Sequence, residues 1–411
     1  MKKRVPFSRA QIEALVKKYP TPFYIYDEEA IAQTARNLIN AFSWVPTFKE
    51  YFAVKATPNP HILKTLKKEG CGTDCSSLPE LIMSEKTGIT GENIMFTSND
   101  TPPHEFVKAR ELGAIINLDD ITHLPLLQKT AGLPDLLSFR YNPGSRRSGN
   151  VIIGKPKEAK FGLTLAQMKE AYKRATQLGV KRFGIHTMVV SNELNEKYFV
   201  ETAHMMFKLA VEVKRDLGIN LEFINLGGGL GIPYKPTERP LNLAVVSKGV
   251  RLAYEKYLTS NGLKPSLFLE SGRYITGPHG YLVTKAIHEK HTYRNYIGVD
   301  ATMANLMRPG MYGAYHHITV LGKQHQAATR TYDVVGSLCE NNDKFAVQRR
   351  LPTVELGDYL VIHDAGAHGH AMGFNYNGKL RSAELLMRRD DTFKMIRRAE
   401  TVEDYFRTLT W

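Results

Sequence analysis

Cysteine is scarce in this sequence, which limits both the compartment and the kinds of metal site it suggests. Among 411 residues the only cysteines are Cys71, Cys75 and Cys339. An odd, sparse set argues against a disulfide framework and is typical of a reducing compartment. Cys71 and Cys75 are four positions apart, but no Cys or His cluster accompanies them, so we predict no metal site.

Long apolar runs are also missing, since none approaches the length of a membrane span. The first residues, MKKRVPFSRAQIEALVKKY, are basic and lack the continuous apolar stretch of a signal peptide. Their pattern predicts an amphipathic helix. We therefore expect a cytoplasmic protein that does not associate with a membrane.

Acidic residues are the minority, with 41 Asp and Glu against 55 Lys and Arg, for a net charge of +14. The basic residues are spread along the chain, without a long basic block or a nucleic-acid-binding motif. This distribution indicates a solvated basic surface and no nucleic-acid partner. Such a surface mildly favours small anionic ligands by electrostatic steering.

The length exceeds that of one ordinary core, so two domains are expected. From residue 51, short apolar strands alternate with helical patterns in eight units. The predicted strands are 51–55, 72–76, 94–99, 114–120, 136–142, 183–190, 223–229 and 267–273. Eight units with polar strand ends favour a (β/α)8 barrel over the alternative, a doubly wound sheet.

The alternation stops after residue 280, and the remaining strand-like pieces are separated by Gly, Asn and Asp turns. This pattern is typical of an all-β sandwich or barrel. We predict a (β/α)8 barrel over 28–278 and a C-terminal all-β domain over 279–411. The N-terminal segment 1–27 is expected to join the β domain, because 21–27 (TPFYIYD) reads as a strand.

A lysine ends the first predicted barrel strand, in the stretch YFAVKATPNP. Lys55 shares a strand face with Tyr51 and Ala53, at the barrel end where catalytic groups gather. A lysine there can form a Schiff base with a carbonyl compound. An aldolase that uses Lys55 without a cofactor is one possibility, but it leaves the later motifs unexplained.

Glycines follow the seventh and eighth strands, where barrels typically bind phosphate. The runs are Gly227–Gly228–Gly229 and Gly272–Arg273. Glycines let backbone N–H groups approach a phosphate, and the arginine adds positive charge. A lysine and a phosphate site together suggest pyridoxal phosphate, whose ring nitrogen Glu270 can pair with.

Several motifs together resemble the fold-type-III pyridoxal-phosphate decarboxylases, and diaminopimelate decarboxylase most. They are YFAVKA, GTDCSS, INLGGGLG, LESGR, MRPGMYGAYH, GSLCENND and DAGAHGHAMGFNYN. The resemblance runs from about residue 20 to residue 390, in the order the family has. It implies an alanine-racemase-like barrel with an appended β domain.

The resemblance implies a role for each matching residue. Lys55 corresponds to the Schiff-base lysine, Glu270 to the partner of the pyridine nitrogen, and Cys339 to the proton donor. It implies cofactor contacts from Asp74, Arg140, His186, Ser191, Gly228, Gly229, Gly272, Arg273 and His368. Cys339 is expected to reach the site of the other subunit, so the active unit should be a homodimer.

The resemblance also implies the substrate, through a set of residues that hold its distal end. Arg273, Arg308 and Tyr312 correspond to the family's carboxylate-binding residues, and Glu340 to the group that binds the distal amine. His368 is a further substrate or phosphate contact. The implied reaction is decarboxylation of meso-diaminopimelate at its D-centre to L-lysine and CO2.

Three positions depart from the family's motifs, and they bear on the substrate. Met188 stands where a histidine usually lies against the cofactor ring, His368 replaces a tyrosine, and Ser271 replaces the proline of the EPGR motif. A sister decarboxylase of another D-configured or N-substituted diamino acid is therefore an alternative. A non-catalytic pyridoxal-phosphate-binding regulator is another, although the retained Lys55 and Cys339 argue against it.

Overall fold

The computed structural model describes residues 3–45, 47–149 and 154–411. The chain divides into two compact units. The barrel unit comprises Ala32–Ile232 and Pro240–Tyr274, and the β unit comprises Met1–Ile31, Pro233–Arg239 and Ile275–Trp411. These limits lie within a few residues of the predicted domain ends, except that the short segment Pro233–Arg239 falls in the β unit.

The strands, in chain order, are as follows. They are β1 (Phe23–Asp27), β2 (Phe48–Ala53), β3 (Gly72–Cys75), β4 (Ile94–Ser98), β5 (Ile115–Leu118), β6 (Leu136–Arg140), β7 (Arg182–His186), β8 (Phe223–Asn225), β9 (Ser266–Leu269), β10 (Gly280–His291), β11 (Asn295–Val299), β12 (Ile318–Val320), β13 (Arg330–Val335), β14 (Lys344–Leu351), β15 (Tyr359–Ile362), β16 (Ala383–Met387) and β17 (Phe393–Arg397).

The α-helices are numbered in the same way. They are α1 (Arg9–Val16), α2 (Glu28–Ala41), α3 (Pro60–Lys68), α4 (Leu78–Lys86), α5 (Pro103–Glu111), α6 (His123–Ala131), α7 (Leu165–Gln177), α8 (Glu196–Leu217), α9 (Leu243–Tyr257), α10 (Gly272–Thr276), α11 (Arg308–Tyr312) and α12 (Val402–Phe406). Helix α1 lies within the segment predicted to form an amphipathic helix.

Strands β2 to β9 form a closed barrel of eight parallel strands, in which β9 pairs with β2. The predicted (β/α)8 barrel is thus confirmed, and the doubly wound alternative is wrong because the sheet has no edges. Each strand ends earlier than its predicted C-terminal limit. Asp74, Arg140 and His186 still lie at or near the ends of their strands, whereas Lys55 belongs to the following 3₁₀ turn, Val54–Ala56.

Some helices in the barrel begin at polar residues whose side chains accept backbone hydrogen bonds. Asn59 accepts from the N–H of His61 at the start of α3, where Pro60 is the first helical residue. Thr164 and Gln167 form a reciprocal capping box at the start of α7. These caps define where α3 and α7 begin, and so where the loops before them end.

An apolar layer fills the barrel interior. Its residues are Tyr51, Met95, Ile115, Leu136, Phe223 and Phe268. The rings of Phe223 and Phe268 stack with centroids 4.6 Å apart. Gly184 on β7 makes room for this pair, because a Cβ atom there would lie 2.1 Å from the Phe223 ring. The polar groups of the barrel lie beyond this apolar layer, near the carboxyl ends of the strands.

The β unit is a nine-stranded sheet whose main order is β14-β13-β11-β10-β1-β16-β17. Strand β1 lies near its centre, antiparallel to β10 and parallel to β16. The predicted pairing of the N-terminal strand with the C-terminal β region is therefore confirmed. Phe23 and Ile25 of β1 are fully buried in the core of this unit, with Val283 and Leu385.

Within the described ranges, no helix has both the length and the apolar composition needed to cross a membrane. The longest, α8, has 22 residues and carries charged side chains along its length, such as Glu201 and Lys208. Its buried positions recur at helical spacing, so it is an amphipathic helix of the barrel.

Gly184→Ala tests the packing of the apolar layer. We expect the variant to lose about 1–3 kcal/mol of unfolding free energy, because the added methyl group overlaps the Phe223 ring. Urea unfolding monitored by circular dichroism measures this loss. In a Phe223→Leu background the same change should cost less, and equal costs in the two backgrounds would contradict the packing explanation.

Candidate active site at the carboxyl ends of the barrel strands

Lys55, in the turn that follows β2, forms an ion pair with Asp74, which lies near the end of β3. The Nζ atom of Lys55 lies 2.8 Å from Oδ2 of Asp74. The lysine side chain is 50% exposed, whereas the aspartate side chain is only 2% exposed. The other aspartate oxygen, Oδ1, is buried without a hydrogen-bond partner. The ammonium is thus accessible while its counter-ion is fixed.

Glu270 is a buried carboxylate held by two side chains of neighbouring strands. Asn225 donates to Oε1 at 2.7 Å, and Nε2 of His186 lies 3.1 Å from Oε2. Asn117 donates to Nδ1 of His186 at 3.0 Å. With Nδ1 acting as an acceptor, the His186 proton is on Nε2 and is donated to Glu270. This chain of bonds orients the carboxylate and keeps it ionised.

The electrostatics of the three charged groups are coupled. Burial raises the pKa of Asp74, and the nearby Glu270 raises it further, against the opposing effect of Lys55. Burial would also raise the pKa of Glu270, but His186, Lys55 and the Asn225 hydrogen bond lower it overall. Desolvation opposes the charge on Lys55, yet Asp74 and Glu270 raise its pKa. The lysine is therefore a stable cation between two carboxyl groups.

The glycine run after β8 is packed too tightly for side chains. A Cβ atom at Gly227 would lie 2.3 Å from the carbonyl oxygen of Thr187, and one at Gly228 would lie 2.2 Å from that of Glu270. The Gly228 N–H donates to the sulfur of Met188 at 3.2 Å. Thioether sulfur is a weak acceptor, so an anionic oxygen can displace it.

Arg140, at the end of β6, is held by a neighbouring aspartate. Its Nη1 donates to Oδ1 of Asp119 at 2.9 Å, and both side chains are buried. The guanidinium also lies over the ring of Phe161, 4.5 Å from its centroid. Its contacts therefore support the loop that follows β6. Whether it also contacts a cofactor stays a prediction.

The remaining predicted cofactor residues of the barrel unit lie in loops around the same strand ends. Ser191 lies in the loop after β7, and Gly229 lies in the loop after β8 with φ of +94°. Gly272 and the buried Arg273 begin α10, directly after Glu270. A Cβ atom at Gly272 would lie 2.7 Å from the side chain of Ala56, so this turn also leaves no room for a side chain.

In the β unit, Arg308 is a buried guanidinium with two aromatic neighbours. Its Nη1 lies 3.0 Å from Nε2 of His316, whose Nδ1 lies 2.8 Å from the carbonyl oxygen of His363. The imidazole therefore donates from Nδ1 and accepts from the arginine. The guanidinium lies 4.6 Å from the centroid of the Tyr234 ring. These contacts fix the position of Arg308.

Cys339 and Glu340 lie in the loop between β13 and β14, and Cys339 is exposed. The buried Asp343 holds this loop: its carboxylate accepts from the N–H groups of Leu338 at 2.8 Å and Met303 at 2.6 Å. Oε1 of Glu340 accepts from the N–H of Asn342 at 3.0 Å. The Asp343 side chain thus holds the loop in place, and Cys339 lies on its exposed side.

Tyr312 and His368 complete the predicted set in the β unit. Tyr312 is the last residue of α11 and is half-buried. His368 is half-buried in the loop after β15 and adopts φ of +55°, a conformation uncommon outside glycine. Their predicted roles toward phosphate or substrate stay predictions.

The residues of the barrel unit fit pyridoxal phosphate. Lys55 offers an accessible amine, Glu270 an ionised buried carboxylate, and Gly228 a backbone N–H bound only to a weak acceptor. The buried, unpartnered Oδ1 of Asp74 is a further acceptor facing this end of the barrel. By contrast, no group of His, Cys, Asp or Glu in the described ranges could hold a metal ion.

Several residues of the site escaped the sequence analysis. Asn117 and Asn225 lie on strands and hold His186 and Glu270, Asp119 holds Arg140, and His316 holds Arg308. One signal was present: an amide inside an otherwise apolar barrel strand needs a buried partner. The identity of that partner depends on how different strands are paired and registered, which the sequence does not provide.

Comparison with known proteins places these features in a family. Residues 29–277 match the model described as "Pyridoxal-dependent decarboxylase, pyridoxal binding domain". Protein TabA of Pseudomonas amygdali pv. tabaci is 45% identical, covering 97% of this chain and 94% of that protein. Diaminopimelate decarboxylase of Methanothermobacter thermautotrophicus is 36% identical, covering 96% and 92%.

A solved structure agrees with these sequence relatives. Diaminopimelate decarboxylase from M. jannaschii, in co-complex with L-lysine, superposes with a TM-score of 0.89 and 31% identity. The alignment covers 97% of this chain and 94% of that one. The matched segment contains Lys55 and Glu270, and it spans the whole closed barrel. The chain therefore belongs to the pyridoxal-phosphate-dependent decarboxylase family.

Proposed function

We propose that the protein decarboxylates meso-2,6-diaminopimelate at its D-centre and releases L-lysine and CO2. The observation that carries this proposal is the Lys55–Asp74 and Glu270–His186 site, on a chain similar over nearly its full length to diaminopimelate decarboxylases. The buried Arg308 adds a cationic group suited to a substrate with a second carboxylate.

In this proposal the residues around Lys55 prepare the amine and hold charge. Lys55 would hold the cofactor at its carbonyl carbon, and Asp74 fixes the orientation of the lysine side chain. Pyridoxal phosphate, when bound, supplies an electron sink for the pair released as the scissile carboxylate leaves as CO2. Glu270, kept ionised by His186 and Asn225, holds a proton at the pyridine nitrogen.

Substrate selection rests on the distal end of the diamino acid. A carboxylate there matches guanidinium groups that form charge-assisted, bidentate hydrogen bonds. We assign this role to Arg308 and Arg273 with Tyr312, and the distal amine to Glu340. His316 contributes by orienting Arg308, since its Nε2 accepts from the guanidinium.

We further propose that the active unit is a homodimer in which Cys339 serves the site of the other subunit. The exposed position of Cys339, on a loop held by Asp343, supports this arrangement. The thiol proton is delivered to the carbon that lost CO2, which completes the balance of the reaction. The three free cysteines also support a reducing, cytoplasmic location.

A second candidate is decarboxylation of another D-configured or N-substituted diamino acid. Met188 supports it, because this side chain contacts the Gly228 N–H through sulfur where the family's histidine usually lies. His368 in place of tyrosine also supports this second candidate. So does the 45% identity to a protein named only TabA. A non-catalytic regulator is less well supported, because the Lys55 and Glu270 arrangements are both intact.

A substrate panel tests the assignment. CO2 release is measured with the holoenzyme on meso-diaminopimelate, its LL isomer, both enantiomers of lysine and both of ornithine. Release from the meso isomer alone, lost in Lys55→Ala, is the expected result because only that isomer offers a D-centre and a distal carboxylate together. Release from a different member, with none from the meso isomer, would exclude the lysine-forming reaction.

Arg308→Ala tests the carboxylate assignment. We expect kcat/KM on meso-diaminopimelate to fall roughly 30-fold or more, mainly through KM, because a buried charge-assisted pair is lost. Arg350→Ala, which removes an exposed arginine of the same unit, is the matched control and should leave kcat/KM unchanged. An unchanged KM for meso-diaminopimelate in Arg308→Ala would contradict the assigned role.

Subunit complementation tests the shared site. Lys55→Ala and Cys339→Ala proteins are each expected to be inactive, and mixing them with subunit exchange should restore about one quarter of wild-type activity. The recovered sites combine Lys55 of one subunit with Cys339 of the other. Differently tagged subunits monitor the exchange, and complete exchange without recovery would show that both residues serve the same subunit's site.

A further inference from the structure

A second carboxyl group lies directly behind the Glu270 turn, and nothing in the proposed reaction uses it. Glu50, on β2, has no solvent exposure. Its Oε1 accepts a hydrogen bond from the backbone N–H of Ser271 at 2.5 Å. Its Oε2 is buried without a hydrogen-bond partner in the described part of the chain. A glutamate in such a place requires an explanation, because burying a carboxyl group is costly.

The position of Glu50 places it on the side of β2 away from the barrel interior. Tyr51 belongs to the interior layer, and successive strand residues point to opposite faces. Glu50 pairs in register with Leu269 of β9, the residue that precedes Glu270. The carboxyl group therefore reaches the turn after β9 from behind, and it does not enter the barrel mouth where Lys55 lies.

The hydrogen bond depends on a residue that departs from the family's motif. Ser271 stands where the EPGR motif has proline, and proline has no backbone N–H to donate. The two neighbours of Ser271 are Glu270 and Gly272, whose positions are tightly constrained on either side. Glu50 thus contacts the one backbone group that this substitution creates, in the middle of the turn.

We propose that Glu50 is a positioning residue: its carboxyl group anchors the N–H of Ser271 and so fixes Glu270 and Gly272 for binding the cofactor. The anchor replaces the conformational restriction that a proline ring gives the same turn. This inference rests on the proposed role of Glu270. It adds a residue that the cofactor never contacts.

The ionisation of Glu50 gives the anchor a pH dependence. Burial, together with the nearby Glu270 and Asp74, raises the pKa of Glu50 from 4.5 to about 8, against the opposing effect of the bonds from Ser271. Cys71 is the other titratable neighbour, and burial raises its pKa as well. The folded protein therefore retains a proton that the unfolded chain releases, so this group's contribution to stability falls as pH rises from about 5 to about 8.

Three variants of the holoenzyme test the anchor through cofactor binding. Glu50→Ala and Ser271→Pro each remove one side of the bond, whereas Glu50→Gln keeps an acceptor oxygen. We expect the dissociation constant of pyridoxal phosphate to rise about tenfold in Glu50→Ala and to stay within about twofold of wild type in Glu50→Gln. Ser271→Pro removes the N–H donor but restricts the turn through its own ring, so it should weaken cofactor binding less than Glu50→Ala does.

Combining the changes distinguishes an anchor from general structural support. The double variant Glu50→Ala, Ser271→Pro should bind the cofactor no more weakly than either single variant, because both remove the same bond. Multiplied losses would overturn the proposal, and so would wild-type binding in both single variants. If Glu50→Ala does not fold, Glu50→Gln and Ser271→Pro still decide the outcome.

Urea unfolding of the holoenzyme supplies the second readout. The stability gain of Glu50→Gln over wild type should grow between about pH 5 and pH 8 and then level off. Glu105→Gln is the matched control, because Glu105 is also buried in the barrel unit and accepts a backbone N–H, that of Leu78, at 2.9 Å. A wild-type pH profile in Glu50→Gln would overturn the proposal. Neither readout uses a substrate, so an error in the substrate assignment would leave both unchanged.

Discussion

The site depends on one constraint: an ionised carboxylate, Glu270, must remain charged inside a protein barrel. Burial disfavours the charge, and only the specific donors His186 and Asn225, together with the nearby Lys55, reverse that preference. His186 and Asn225 lie on two different strands, and Lys55 lies in the turn after a third. The closed barrel is therefore more than a scaffold, because its strand registers bring the four side chains within reach of one another.

The same constraint explains the distribution of polar and apolar residues within the barrel. One layer of aromatic and aliphatic side chains fills the interior, with Phe223 and Phe268 stacked beside Gly184. The amides and carboxyl groups lie near the carboxyl ends of the strands. A low-dielectric layer below the site strengthens the ion pairs above it, and it makes any unpaired group there expensive.

The sequence predicted the barrel and the β domain, and it suggested a set of candidate site residues, because those features depend on local patterns. Alternating strands and helices, glycine runs and the isolated Lys55 are all visible along the chain. The partners Asn117, Asn225 and Asp119 were not predicted, since each acts on a residue from another strand. Strand limits were predicted too long for a related reason: polar ends look like strand until the turn geometry is known.

Glu50 and Ser271 form a pair in which each residue limits the substitutions that evolution can accept at the other position. A chain with proline at 271 has no donor for a buried carboxyl group, and a chain with serine but without Glu50 leaves a buried N–H unbonded. Neither single exchange is neutral, so passage between the two states requires compensation at the other position. Homologues that carry one of these residues should therefore carry the other, which makes the pair a marker for tracing descent within the family.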